Sequence, residues 1–154
     1  MNIFVLDYSP VKAAQFQCDK HVVKMPLESA QILCSAFEPG IAPYKRTHYN
    51  HPCSVWARRS QKNYIWLIEH GLALCEEYTY RYERSHKSKE VLLWCQKNMK
   101  KLNFEFEGKS KFTLCFDEKY KIGNAVESYR LYYKVEKKQI AKWAKRRSKP
   151  SWFK

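Results

Sequence analysis

The spacing of apolar residues along the chain predicts a protein built mainly from α-helices. The longest regular pattern lies between residues 53 and 82, where apolar side chains recur at steps of three and four: Tyr64, Leu67, Ile68, Leu72, Cys75, Tyr78 and Tyr82. Such steps place the side chains on one face of a helix. We therefore predict one long central helix over this range, with Gly71 as a point where it can bend.

The residues before this pattern predict two shorter helices. Asp7 or Ser9 can cap a helix that has Pro10 at its first position and ends near Lys20. A second helix is predicted over residues 22–37, with Pro26 either kinking it or marking its true start. The polar segment 43–52 is predicted to be a loop.

After the central helix we predict two more helices, over residues 87–98 and 122–147, separated by a turn-prone segment at 100–120. The last helix has an apolar stripe and otherwise basic faces; the stripe is Ile122, Val126, Tyr129, Tyr133, Ile140 and Trp143. The predicted fold is a compact all-α protein with a long central helix and a basic C-terminal helix.

Composition agrees with this architecture. A chain of 154 residues with 45% hydrophobic content can form one domain with a substantial core, so we predict a single domain over residues 1–154. Only four Gly and six Pro are present, too few for the many tight turns of an all-β fold.

The net charge points to a polyanionic partner. The chain has 29 Lys and Arg against 15 Asp and Glu, a formal charge of +14, and residues 100–154 hold 16 of the basic and 6 of the acidic side chains. Nucleic acid is the commonest polyanion that fits such a surface, and we predict duplex DNA as partner. The alternative is a basic face that serves only solubility.

Other partners and cofactors receive less support. Six cysteines are dispersed without a C-x-x-C pair, and the N-terminal residues lack a signal-peptide pattern, so we expect reduced thiols in the cytoplasm. No segment reaches the roughly 20 apolar residues of a membrane span. His48, His51 and Cys53, with Cys18 and His21, could offer zinc ligands, but they lack a recognised spacing, and we predict no metal. Without a Gly-rich phosphate loop we also predict no cofactor.

The densest group of candidate catalytic residues lies at residues 18–28. In a helix His21 and Glu28 are two turns apart, and Lys24 and Glu28 one turn apart, so all three can face one site. Two ordinary explanations stay open: Lys24 and Glu28 can form a surface ion pair, and His21 can be a hydrogen-bonded core residue.

Candidate nucleic-acid-binding residues lie on the predicted helices and in the C-terminal segment. They are Lys20, Arg58, Arg59, Arg130, Lys134, Lys138, Lys142, Lys145, Arg146, Arg147, Lys149 and Trp152. The cations can neutralise phosphates, and an exposed Trp152 can stack on an unpaired base. The alternative for Trp152 is that it folds back onto the core.

Several short motifs resemble those of the pyrimidine-dimer DNA glycosylases of phages, also called viral endonuclease V. They are Cys18-Asp19-Lys20-His21 followed seven residues later by Glu28, then His51, Leu74-Cys75-Glu76-Glu77, and the ending Lys149-Pro150-Ser151-Trp152-Phe153. The resemblance implies a small basic helical protein with Glu28 as a catalytic residue. It also implies a nucleophilic α-amine on a small second residue, exposed when Met1 is removed.

This chain departs from the family pattern at two positions. The second residue is Asn2, whose size predicts that Met1 is retained, and Leu27 stands where the family has an arginine beside the catalytic Glu. The candidate amines are therefore those of Met1 or Asn2 and the side chains of Lys24 or Lys20.

We predict a glycosylase that removes a damaged or modified base from DNA, with strand-nicking lyase activity as an additional step. Glu28 would stabilise positive charge on the sugar, and His21 would orient the sugar or a phosphate. Two alternatives remain at this point: a nucleic-acid-binding protein that has lost the chemistry, and a protein that binds a free nucleotide in the same pocket.

Overall fold

The computed structural model describes all 154 residues, and it contains six α-helices and no sheet. The helices are α1 (Pro10–Phe16), α2 (Asp19–Cys34), α3 (Pro52–Arg59), α4 (Gln61–Tyr82), α5 (Ser88–Asn98) and α6 (Ala125–Glu136). Single 3₁₀ turns lie at Met99–Lys101 and Glu118–Tyr120. The all-α prediction is confirmed.

The first two helices begin and end close to their predicted positions. The Ser9 hydroxyl accepts a hydrogen bond from the Lys12 N–H, and Pro10 is the first helical residue, so the predicted cap is present. Helix α1 ends at Phe16, earlier than predicted, and α2 begins at Asp19. Pro26 lies inside α2 rather than at its start, so the helix lacks the backbone N–H that this position would otherwise supply.

The predicted central helix is in fact two helices, α3 and α4, separated at Ser60. Ser60 has an extended backbone, and its hydroxyl accepts from the Asn63 N–H, which caps α4. The same hydroxyl donates to backbone carbonyls in the segment that follows α5, at Gly108 and Glu107. The break is therefore held by a tertiary contact that periodicity along the chain does not reveal.

The prediction of a basic C-terminal helix was wrong. Helix α6 opens with a capping box between Asn124 and Glu127 and ends at Glu136. The predicted nucleic-acid-binding cations after it lie in a non-helical segment, residues 137–154, here called the C-terminal segment: Lys138, Lys142, Lys145, Arg146, Arg147 and Lys149.

Contacts with the first turn of α2 hold the C-terminal segment in this conformation. The Asp19 N–H donates to the Lys142 carbonyl at 2.9 Å, and the Asp19 carboxylate accepts from the Ala144 N–H at 2.8 Å. The Trp143 indole donates to the Phe16 carbonyl at 3.1 Å. These bonds use backbone groups that a continued helix would have paired internally.

The core is built around α2 and α4, which α1, α3 and α5 surround. The apolar leader Ile3–Leu6 is fully buried in this core, and Phe153 packs into it from the other end of the chain. The leader therefore holds the N-terminus against the side of α2 rather than in solvent. None of the helices has the length and apolar character needed to cross a membrane.

Candidate active site

A pocket of about 220 Å³ lies where the N-terminal leader meets α2 and α6. The residues that matter for its chemistry are Met1, His21, Lys24, Glu28, Tyr132 and Lys137. The structure thus brings together His21, Lys24 and Glu28, which the sequence placed on one face of a helix. It adds the N-terminus and one end of α6, which come from distant parts of the chain.

The central feature of the pocket is the contact between the α-ammonium group of Met1 and the Glu28 carboxylate. Their N and Oε1 atoms are 3.4 Å apart, and the side chains of Met1 and Glu28 are only 4% and 10% exposed. Opposite charges so poorly screened by water attract strongly, and removing either would leave the other buried without a partner. Glu28 makes no ion pair with Lys24, so the ordinary surface pair considered from the sequence is absent.

The side chain of Asn2, which also lines the pocket, helps to hold the Met1 amine in this position. Its side-chain oxygen accepts from the N–H groups of Ile3 at 2.7 Å and Phe4 at 3.2 Å, and its amide donates to the Cys115 carbonyl at 3.3 Å. Phe4 has a positive φ of 44°, so the leader turns sharply here. The Asn2 side chain therefore stabilises the turn of the leader. Comparing Asn2 with the small second residue of the family pattern did not reveal this structural role.

His21 is fixed by aromatic and polar contacts on the pocket wall. Its ring stacks on Phe4 with centroids 4.5 Å apart, and its Nδ1 is 2.8 Å from the Tyr133 hydroxyl. That hydroxyl also accepts from the Cys18 N–H at 2.9 Å. Since the phenol has one proton, all three groups are satisfied when Tyr133 donates to Nδ1, which leaves the Nε2–H of His21 free to donate.

Burial and neighbouring cations keep His21 neutral. The loss of hydration, together with the smaller effect of the charges of Lys137 and Lys24, lowers the pKa of His21 to about 3. His21 is therefore a buried, hydrogen-bonded residue, as one of the two explanations from the sequence proposed. It is also a hydrogen-bond donor that lines the pocket. It cannot act as a cation at neutral pH.

Lys24 and Lys137 both line the pocket. Lys24 is exposed and Lys137 half-buried, with its ammonium 5.8 Å from the Phe4 ring centroid and 5.5 Å from that of Tyr132. Sequence reasoning missed Lys137 because the helix was expected to continue past it. Its position follows from the end of α6, which no local signal marks.

Three of the predicted nucleic-acid-binding arginines are engaged within the protein. Arg130 donates to the Leu6 carbonyl at 2.8 Å and pairs with Asp7. Arg147 donates twice to the buried Glu77 carboxylate, and Arg146 pairs with Glu83. These arginines hold the leader and the C-terminal segment to the rest of the fold.

Trp152 also faces the protein. Its ring packs edge-on against Phe16, with centroids 5.9 Å apart, and lies beneath the Arg130 guanidinium. Of the two alternatives considered from the sequence, the structure therefore shows the one in which this ring folds back onto the core.

The six lysines among the remaining candidates present free cations. Lys20, Lys138, Lys142, Lys145 and Lys149 are exposed and form no ion pair, and Lys134 is half-buried without one. On another part of the surface, the Arg58 guanidinium lies 3.8 Å from the Tyr49 ring centroid, and Arg59 pairs with Glu105.

Residues 1–90 match the model of the pyrimidine dimer DNA glycosylase family, more than half of the chain, so the chain belongs to that family. The match includes the leader, α2 and therefore Met1, His21 and Glu28. It confirms the resemblance noted from the sequence, and DNA is the substrate that such a family implies. No curated protein and no solved structure shows a significant match to the chain.

Proposed function

We propose that the protein excises a damaged pyrimidine from duplex DNA with the α-amine of Met1 as nucleophile and Glu28 as the carboxylate beside it. The observation that carries this proposal is the 3.4 Å contact between the two groups, whose side chains are almost fully buried. An amine attacks carbon only when unprotonated, and Glu28 is placed to accept its proton.

The reaction can be written with these groups alone. Once Glu28 has taken a proton from the Met1 ammonium, the amine nitrogen forms a bond to C1′ of the deoxyribose while the bond from C1′ to the base breaks, and the leaving base takes that proton from Glu28. Opening of the sugar ring breaks the bond from C1′ to O4′, moves a proton from the nitrogen to O4′ and gives a protonated Schiff base between the amine and C1′. Glu28 then takes a proton from C2′, a double bond forms between C2′ and C3′, and the bond from C3′ to the 3′ phosphate oxygen breaks, which nicks the strand and is the lyase step.

Glu28 has a second role in this scheme. Cleavage of the glycosidic bond builds positive charge on the sugar, and a carboxylate already fixed in a poorly hydrated site stabilises that charge. The Nε2–H of the neutral His21 can donate to a sugar or phosphate oxygen, and Lys24 with Lys137 supplies positive charge for the adjacent phosphates.

The proposed nucleophile is the amine of Met1 because this amine lies beside Glu28, while the Asn2 side chain fixes the turn that follows it. Since Asn2 is larger than the second residue of the family pattern, we expect intact-mass measurement to find Met1 retained. If Met1 is absent from the purified protein, the proposed nucleophile is wrong.

Borohydride trapping tests the mechanism directly. The protein is incubated with ultraviolet-irradiated duplex DNA and borohydride, with undamaged duplex as control, and the covalent adduct is mapped by peptide mass spectrometry. We expect the adduct on the N-terminal peptide. It should persist in Lys24→Ala and disappear after selective acylation of the α-amine, which reacts near neutral pH because lysine amines have a much higher pKa.

Three other outcomes would replace this mechanism. An adduct that survives acylation and is lost in Lys24→Ala assigns the lysine. Base release without any adduct indicates a glycosylase in which Glu28 activates water. Binding to duplex DNA without base release identifies a nucleic-acid-binding protein that has lost the chemistry.

A further inference from the structure

We propose that His51, Cys53 and Cys115 form a binding site for a thiophilic divalent cation of the Zn²⁺ class. One donor atom from each residue lies within 4.8 Å of the other two, and the two sulfurs are 3.1 Å apart. Imidazole and two thiolates are the donors of known three-residue zinc sites that leave one coordination position open.

The spacing of the donors suits an ion at their centre. With zinc–sulfur bonds of about 2.3 Å and zinc–nitrogen bonds of about 2.0 Å, tetrahedral donors lie roughly 3.5–3.8 Å apart. The observed separations require adjustments of about 1 Å or less. The Nδ1 of His51 accepts a hydrogen bond from the Cys53 N–H at 3.1 Å, so this ring nitrogen is unprotonated, and it would have to give up that bond to offer the same lone pair to an ion.

The donors come from two separate parts of the chain. His51 is the N-cap of α3 and Cys53 lies in its first turn, whereas Cys115 belongs to the irregular segment between α5 and α6. Cys53 is buried, but His51 and Cys115 are partly exposed, so an ion can reach the group from solvent. Binding would cross-link α3 to a segment that otherwise lacks helical hydrogen bonds.

A second thiol pair in the same protein shows what a simple core contact looks like. The sulfurs of Cys34 and Cys95 are 3.7 Å apart, and both residues are essentially inaccessible. No histidine or carboxylate joins them, so they do not form a metal-binding group. The third donor and the access to solvent are what distinguish the group at Cys53 and Cys115.

The site would support the candidate active site without being part of its chemistry. The Cys115 carbonyl accepts from the Asn2 amide, and Cys115 itself lines the pocket that contains the Met1 amine. An ion on Cys115 would therefore brace the turn that positions the amine. Binding of the ion can nevertheless be measured without DNA or activity.

The test is a Co²⁺ titration of the full-length, reduced and chelator-treated protein, followed by Zn²⁺ competition. We expect one equivalent of Co²⁺ to produce a thiolate-to-cobalt charge-transfer band that Zn²⁺ abolishes. Cys115→Ser and His51→Ala should each weaken binding by at least about 100-fold, because losing even an outer-shell partner costs about 10–100-fold. These two residues are partly exposed, and circular dichroism checks that the variants fold.

The control is Cys34→Ser combined with Cys95→Ser, which removes two thiols, one more than Cys115→Ser does, and should leave the charge-transfer band unchanged if the fold persists. Absence of the band in the wild-type protein would overturn the proposal. A charge-transfer band that persists in Cys115→Ser would also overturn the proposal. Spontaneous loss of two hydrogens from the Cys53 and Cys115 peptides without ion uptake would identify a redox pair instead.

Discussion

Glu28 is the side chain on which the proposed chemistry most directly depends. Glu28→Gln keeps the shape of the residue and an acceptor oxygen for the Met1 amine but removes the charge, so the variant should fold with some loss of stability while its affinity for damaged duplex changes little. Base release should fall by about 100-fold or more, since a single preorganised electrostatic group is typically worth that much. Single-turnover cleavage of the glycosidic bond in irradiated duplex checks this when it is measured as strand breaks after alkali treatment, because a base within a dimer stays joined to its neighbour, and binding is measured in parallel. Equal rates for variant and wild type would remove Glu28 from the mechanism.

Two buried histidines should make the fold sensitive to acid. Burial lowers the pKa of His21 to about 3 and that of His70 to about 4. Both pKa values lie below that of an unfolded histidine, so the unfolded state binds more protons and stability falls as the pH drops from about 6.5 toward 4. Each histidine should reduce the free energy of unfolding by about 2 kcal/mol between pH 7 and pH 5.

The variant His70→Gln tests the predicted acid sensitivity, because glutamine does not titrate but can make nearly the same hydrogen bonds as the neutral histidine. His70 Nδ1 is 3.0 Å from the Pro10 carbonyl, and its Nε2 is 3.1 Å from the Gln17 amide. A glutamine can donate to the first and accept from the second. Urea unfolding at pH 7 and pH 5 should show a clearly smaller loss of stability in the variant. An unchanged loss would mean that other groups cause the acid sensitivity.

Gly71 lies where helix α4 packs closely against α5 and α2. A Cβ atom added there would lie 2.8 Å from the Leu92 Cδ2 on α5 and 3.3 Å from the Ser29 Cβ on α2. Gly71→Ala should gain about 1 kcal/mol of helix propensity but lose about 1–3 kcal/mol to overpacking. Because Leu92 is fully buried, we expect a net loss in the free energy of unfolding.

A double-mutant cycle with Leu92→Val checks the cause of that loss. Removing one methyl group from Leu92 makes room, so Gly71→Ala should cost less in the Leu92→Val background than in the wild type. Urea unfolding gives the four free energies. A more stable Gly71→Ala protein would show that Leu92 moves aside at little cost and that the close approach is unimportant.

The helices differ in how far the sequence could predict them. The Ser9–Pro10 start of α1 is a local signal and was correct, as was the helical face that unites His21 and Glu28. The break at Ser60 depends on carbonyls contributed by a distant segment. The end of α6 likewise depends on Asp19, which captures the backbone at Lys142 and Ala144. Tertiary hydrogen bonds overrode helix propensity in both places.

The same distinction applies to the candidate active site. Periodicity alone could place the side chains of α2 together. It could not bring the Met1 amine to Glu28, because that contact depends on the buried leader and on the turn that Asn2 stabilises. Periodicity also could not identify Lys137 as a pocket residue, because the pocket forms only where the leader meets α2 and α6. The group at His51, Cys53 and Cys115 also joins residues far apart in the chain.

The charge of the whole protein favours DNA, and the structure shows which cations can contribute. With a formal charge of +14, the protein should bind duplex DNA with an affinity that falls steeply as salt rises. Lys138 directly follows Lys137, which lines the pocket, and the backbone of Lys142 contacts the first turn of α2. Both lysines are exposed, and neither has an acidic partner. They are therefore better candidates for phosphate contacts than Arg130 or Arg147, whose charges are already paired.

Replacing Lys138 and Lys142 by Glu should therefore weaken binding and flatten its salt dependence. Each lost phosphate contact removes about 0.9 from the slope of log K against log salt, so the double variant should lose about 1.8. The matched control is Lys97→Glu with Lys101→Glu, an equal charge change on exposed lysines beyond the pocket. Binding isotherms over a range of salt concentrations measure the slopes of both double variants.

Because the net charge changes equally in the two variants, equal slopes would show that the protein attracts DNA by its overall charge. A flatter slope for the first variant alone would place the DNA along the C-terminal segment, next to the Met1 amine and Glu28.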